Sequence, residues 1–149
     1  MNEPTITVDL APSDAEIHSA IRAGLRAFNI EHAGLSERRP FAVFVRDADG
    51  VALGGLEGEI RWQWVFVDNF FLPEALRGRG IGSALLDAAE RLGAEHGCVG
   101  SYLDTFEFQA LPFYEKRGYT VYGVLDDYPP GFKRYYLRKR FEKRSRAAP

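Results

Sequence analysis

Leu76-Arg77-Gly78-Arg79-Gly80-Ile81-Gly82-Ser83 is the stretch from which the rest of the chain is read. An apolar, aromatic run, residues 62–72, precedes it, and an amphipathic segment, residues 84–96, follows it. That order is strand, glycine-rich turn, helix. Gly78, Gly80 and Gly82 at alternate positions let the backbone pass close to a bulky ligand. The first amides of the helix have no intrahelical partner and point at the turn. Free N–H groups and the positive end of the dipole make such a terminus a phosphate site. Arg77 and Arg79 bring two permanent positive charges to the same place. On glycine spacing alone, a tight solvated turn reads equally well.

Two nucleotide motifs compete for these glycines. The phosphate loop requires Lys followed by Ser or Thr, and neither pair follows here. The dinucleotide fingerprint requires a third glycine where Ser83 stands. Asp104 lies near the end of the next strand, where a ribose-binding acid would sit. A dinucleotide-binding domain therefore stays as an alternative.

A length of 149 residues, 46% hydrophobic and 27% charged, fits one domain over 1–149 with one core. No apolar run approaches the roughly 20 residues that span a bilayer. Met1-Asn2-Glu3-Pro4 lacks the basic start and apolar stretch of a signal peptide. The single cysteine, Cys98, opens an apolar strand and reads as buried and inert. These features point to a cytoplasmic protein without a membrane partner. The net charge of -2 argues against a specific nucleic-acid partner. Residues 133–146 hold eight Lys or Arg and one acid, Glu142, and read as a solvated edge strand and tail. His18 and His32 have no metal-spaced ligands around them and read as surface residues, so no metal is expected.

Residues 5–10 alternate, with Ile6, Val8 and Leu10 on one face, and predict a first strand ended by Pro12. Ser13-Asp14-Ala15-Glu16 reads as a capping box. Ile17, Ile21, Leu25 and Phe28 follow at helical spacing, and Gly24 and Gly34 imply a break and an end, so one or two helices cover 14–33. Residues 41–46, 51–59 and 62–72 predict three strands, the first two joined at an Asp49-Gly50 turn. Short turns make them an antiparallel meander, whereas a doubly wound nucleotide fold needs helices between them. Ile81, Leu85, Ala88 and Leu92 give the next helix its apolar face, and Gly97 ends it. Residues 98–106 predict a strand parallel to the one before, since a helix connects them. Residues 109–117 predict a short helix closed by Gly118. Strands over 119–125 and 132–141 follow, joined by a rigid loop with Pro129-Pro130. Residues 143–149 read as a frayed tail. The fold class is α/β (α+β), a mixed, mostly antiparallel sheet of about seven strands around a central β-α-β unit.

Read in the register Arg77-x-x-Gly80-x-Gly82, the glycine stretch resembles the Arg/Gln-x-x-Gly-x-Gly/Ala signature of the GNAT superfamily of acetyl-CoA-dependent N-acetyltransferases. Ala110-Leu-Pro-Phe-Tyr114-Glu-Lys-Arg-Gly118-Tyr119 looks like the family's Ala-x-x-x-Tyr-x-x-x-Gly-Phe/Tyr segment. The element order matches over nearly the whole chain. The resemblance implies acetyl-CoA as co-substrate, with Arg77, Gly78, Arg79, Gly80, Ile81, Gly82 and Ser83 around its pyrophosphate. It implies that the strands before and after the glycines splay apart. Backbone groups near Phe70, Phe71 and Leu72 would then serve the pantetheine arm and the acetyl oxygen. It also implies that the helices over 14–33 form one wall of the acceptor site. The family often has asparagine where this chain has Glu107, which leaves a cofactor contact there open.

Acetyl transfer to an amine needs a deprotonated nitrogen, a stabilised oxyanion and a protonated or stabilised thiolate. Tyr114 matches the family tyrosine as general acid, although helical spacing alone reads it as a packing residue. Asp68, amid Trp64, Phe66 and Phe70, is the first candidate base, expected to be partly desolvated. Asp104 and Glu107 are alternatives, and a structural aspartate bonded to a neighbour is the competing account of Asp68. Asp126, Asp127 and Tyr128 lie on a loop that could line a pocket for a cationic amine. The expected acceptor is a primary amine of a small molecule or peptide, and a homodimer is compatible with this reading. The alternative from another class is a non-catalytic acyl-CoA-binding regulator.

Overall fold

The computed structural model describes residues 2–143, which fall into two compact units divided between Ser36 and Glu37. The first unit is built on α1, Ala15–Ala33. Asp14, not Ser13, caps it: its Oδ1 accepts from the Glu16 N–H at 2.8 Å, so the expected capping box is not formed. The helix runs through Gly24, since one interior glycine costs about 1 kcal/mol and does not break a periodic segment. Gly34, at φ 79°, ends it and donates to the Ile30 carbonyl. His18 and His32 bond backbone carbonyls of Pro12 and Phe28. Residues 5–10 are not a strand. Alternation sorts side chains onto two faces but supplies no partner for the backbone, and without a ladder an extended segment is not a strand. The sheet therefore has six strands, not seven.

The second unit carries the whole sheet. Its strands are β1 (Arg39–Arg46), β2 (Ala52–Arg61), β3 (Trp64–Phe71), β4 (Gly100–Phe106), β5 (Thr120–Leu125) and β6 (Arg134–Arg140). The helices are α2 (Ile81–Glu95) and the short α3 (Leu111–Lys116). The sheet order is β1-β2-β3-β4-β6-β5, and only the β3–β4 pair is parallel, with α2 as the crossover that a parallel pair requires. At the β1–β2 turn, Asp47 Oδ1 accepts from the N–H groups of Asp49 and Val51. At the β2–β3 turn, Trp62 and Gln63 both have left-handed φ, 47° and 61°, the conformation that two-residue hairpins use to match strand twist.

The basic strand is not at an edge. β6 returns between β4 and β5, with Leu137 fully buried on its core face. Its arginines face the other way and are held, Arg138 over the Tyr122 ring and Arg140 over the Trp64 ring, while Lys139 shares the face of Leu137 and pairs with Glu90 of α2 at 2.6 Å. The core lies between the sheet and α2, with Val65, Val67, Leu86, Ala89, Leu103 and Leu137 almost wholly enclosed. The buried face of α2 is Leu85, Leu86, Ala89 and Gly93, turned slightly from the face that periodicity predicts. Gly93 allows the helix to lie close, because a Cβ there would collide with Val65.

Candidate active site

The site begins where the sheet opens. β3 and β4 pair from Trp64↔Gly100 to Val67↔Leu103 and then stop. Beyond that point β3 stays paired with β2 as far as Gly55↔Phe71, and β4 stays paired with β6 as far as Phe106↔Arg134. The two halves of the sheet part, leaving main-chain groups on the β4-facing side of β3 without a strand partner. A β-bulge accompanies the opening. Gly58 pairs Val67 while Glu57 pairs Asn69, so Asp68 is the extra residue. Gly58 is required opposite it, because a Cβ there would run into the Phe66 carbonyl. The bulge re-phases the strand. Phe70 turns to the core side, its ring centroid 6.0 Å from Phe113 and 6.5 Å from Tyr114. Asn69 turns away and donates to Glu57 Oε1 at 2.9 Å.

The opening is a cleft of about 870 Å³. Of the residues expected to hold the cofactor, Phe70, Phe71, Leu72, Arg77, Gly78, Gly80, Gly82 and Ser83 line it. Arg79 and Ile81 do not: Arg79 is exposed and Ile81 packs against the core. Gly80 is the N-cap of α2, at φ 78°, and no side chain caps the helix. The first intrahelical bond is Ala84 N–H to Gly80 O, so the N–H groups of residues 81–83 remain for a ligand. No heavy atom lies within 4 Å of where a Cβ on Gly80 would be, which leaves that side open. Arg77 Nε donates to the Leu72 carbonyl at 2.9 Å and ties the turn to the end of β3.

Tyr114 lies on α3 at 6% exposure, ringed by Phe70, Phe113 and Tyr119, and lines the cleft. Burial, with the negative charge of Asp104 second, pushes its phenol up to about 12. The start of α3 is fixed by two residues that sequence reasoning missed. Gln109 Oε1 accepts from the Phe106 N–H at 2.9 Å and from the Thr105 hydroxyl at 3.3 Å. Thr105 Oγ1 in turn accepts from the Ala110 N–H. The signal for this was a polar residue directly before the Ala110 segment.

The three candidate bases have different surroundings. Asp68 lines the cleft but is exposed, so the expected desolvation is not met: the bulge carries it out of the aromatic rows around it. Asp104 also lines the cleft, and its Oδ1 takes both Nε and Nη2 of Arg134, at 2.9 and 2.7 Å. Glu107 does not line the cleft. Its Oε2 accepts from the Lys133 N–H and its own N–H donates to the Lys133 carbonyl, which joins the exit of β4 to the entry of β6. Asp126, Asp127 and Tyr128 do not line the cleft either. Cys98 is buried, and burial pushes its thiol up, as befits a packing residue. Among the described residues no three His, Cys, Asp or Glu side chains group as metal ligands, and no helix is long and apolar enough to cross a membrane.

Residues 10–119 match the profile of the Acetyltransferase (GNAT) family. An acetyltransferase of Agrobacterium fabrum is 40% identical over 129 residues, covering 87% of this chain and 94% of its own. A blasticidin-S acetyltransferase of Streptomyces morookaense is 41% identical over 107 residues, 69% of this chain and 79% of its own. A crystal structure from Agrobacterium tumefaciens, described as that of an acetyltransferase, superposes with a TM-score of 0.82 at 38% identity. The match covers 93% of this chain and 100% of that one.

Proposed function

Because this chain belongs to the Acetyltransferase (GNAT) family, we propose that it is an N-acetyltransferase moving acetyl from acetyl-CoA directly to a primary amine. The observation that carries the proposal is the meeting, in one cleft, of an uncapped glycine-rich helix terminus, splayed strands and a buried tyrosine. The N–H groups of residues 81–83, with Arg77, hold the pyrophosphate. Main-chain N–H groups of β3 near Phe70, Phe71 and Leu72 stabilise the carbonyl oxygen as it turns negative. The relative named for blasticidin S supports a small-molecule acceptor.

Tyr114 serves the sulfur. As the N–C bond forms and the C–S bond breaks, negative charge gathers on the departing thiolate. A phenol at about 12 remains protonated through the neutral range. Its phenol is a weaker acid than an alkyl thiol, so complete transfer of its proton to a free thiolate is uphill. Tyr114 therefore acts as a hydrogen-bond donor to the charge as it develops, and the thiolate takes its final proton from solvent.

Asp68, at the bulge and in contact with both the cleft and water, takes the proton from the amine, directly or through a water molecule. Asp68→Asn keeps the shape and removes the basicity. Thiol release over a panel of primary amines should fall by about 10²–10⁴-fold in this variant. A variant as fast as the parent at every pH would show that Asp68 is not the base and would move the test to Asp104 and Glu107. Acetyl-CoA binding with no thiol release from any amine would instead fit a non-catalytic regulator.

A further inference from the structure

Alternation along β4 gives the cleft two sides. Leu103 and Thr105 face the core, together with Phe70 and Tyr114, where the donor is placed. Asp104 and Phe106 face the other way, beside Arg134 of the neighbouring strand. We propose that Asp104, positioned by Arg134, determines acceptor specificity by receiving a second, non-reacting positive group, so that the acceptor is a dicationic amine. This inference rests on the acetyltransferase reading above.

The carboxylate is held in advance. Arg134 Nε and Nη2 both lie close to Oδ1, at 2.9 and 2.7 Å. The guanidinium cannot swing away easily, because it sits 5.3 Å from the Phe106 ring, 4.9 Å from Tyr128 and 5.3 Å from Tyr136. The Asp104 and Arg134 side chains are each 22% exposed, enough for a ligand to reach the carboxylate from the cleft.

Charge on this side favours a cation. The cleft is lined by two acids, Asp68 and Asp104, and two cations, Arg77 and Arg134. Arg77 belongs to the donor side, bonded to the Leu72 carbonyl, and Arg134 and Asp104 together carry no net charge, so the negative surplus on this side comes from Asp68. Glu57, bonded to Asn69 at the cleft wall, adds a further negative charge. The attacking nitrogen has to be neutral when it reacts, so a positive charge recognised here belongs to another group of the acceptor. Phe106 and Phe108, stacked with centroids 5.4 Å apart, give the connecting chain an apolar wall.

The test compares straight-chain terminal diamines, propane to hexane, each matched with the monoamine of equal length, in a thiol-release assay. The parent should favour the best diamine over its monoamine by about tenfold or more in kcat/KM, the scale of one half-buried charge contact. Asp104→Asn should remove that preference by raising KM for the diamine more than for the matched monoamine, and Asp104→Glu should restore part of it. Arg134→Lys should give a smaller rise in the same KM. Calorimetry with acetyl-CoA should give parent-like affinity for each variant, which checks that the donor side is intact. Equal turnover of diamines and monoamines by the parent would overturn the proposal and leave the acetyltransferase reading standing. So would an Asp104→Asn variant that keeps the preference. Binding of acetyl-CoA with no turnover of any amine would overturn both. The parent's preference needs no variant, so a misfolded substitution does not shield the proposal.

Discussion

Tyr114 separates a packing role from a chemical one. Its ring fills the space between Phe70, Phe113 and Tyr119, and only its hydroxyl has chemistry to offer. Tyr114→Phe keeps the ring, so acetyl-CoA affinity should stay near the parent's. Turnover should fall by about 10²–10³-fold, the usual loss for one donor aimed at developing charge. An unchanged turnover with chemistry rate-limiting would remove Tyr114 from the mechanism. The same variant has a second readout at alkaline pH. The folded phenol is raised to about 12 from an ordinary value of 10. Between those values the unfolded chain loses its proton while the folded chain retains it. Stability from this group is therefore complete below pH 10 and is lost as pH rises toward 12, by up to about 2–3 kcal/mol. Urea midpoints measured across that range should fall less steeply for Tyr114→Phe than for the parent.

The glycine-rich turn and α2 form the element to which the proposed function assigns the donor. A Cβ on Gly82 would sit 3.5 Å from Leu72 Cδ1 and 3.6 Å from the Phe113 ring, ordinary contact distances. Gly82→Ala should therefore bind acetyl-CoA much as the parent does. Gly82→Trp has to send its ring into the cleft and should weaken acetyl-CoA by at least tenfold in calorimetry while the protein stays folded. A folded Gly82→Trp variant with parent affinity would show that the donor lies elsewhere. This element was legible in the sequence because everything that defines it is local: the strand, the left-handed glycine and the helix start are neighbours in the chain. Elements defined by distant partners were less so. Residues 5–10 have the alternation of a strand and no ladder. The basic 134–140 stretch looks like a solvated edge until β5 is seen to pass outside it. At the site, Tyr114 and Gly80 could be placed from motifs, but the exposure of Asp68 follows from a cross-strand bulge. The Asp104–Arg134 pair joins residues thirty positions apart, and neither carries a local sign of the other.

At the scale of the molecule, the cleft lies entirely in the unit that begins at Glu37, and so do both tryptophans, Trp62 and Trp64, at the β2–β3 hairpin. Tryptophan fluorescence therefore reports the unfolding of the unit that binds, without a contribution from the α1 unit. A ligand that binds only the folded state stabilises it by about 2.7 kcal/mol at a hundredfold excess over its Kd. For a chain of this length that is an upward shift in Tm of about 5–10 °C. Under the proposed function acetyl-CoA should produce such a shift, because its pyrophosphate would meet the N–H groups of residues 81–83 and its acyl arm would fill the gap between β3 and β4. NAD also carries a pyrophosphate, so it tests the turn separately from the rest of the cleft. It has no thioester arm for that gap, and the meander of β1, β2 and β3 stands where a dinucleotide fold would place crossover helices. NAD at the same concentration should leave Tm within about 1 °C, since weak contact with the turn alone falls short of its Kd. In Gly82→Trp the shift with acetyl-CoA should shrink toward that of NAD. An NAD shift as large as that of acetyl-CoA would return the site to the dinucleotide class, whatever the similarity of the fold.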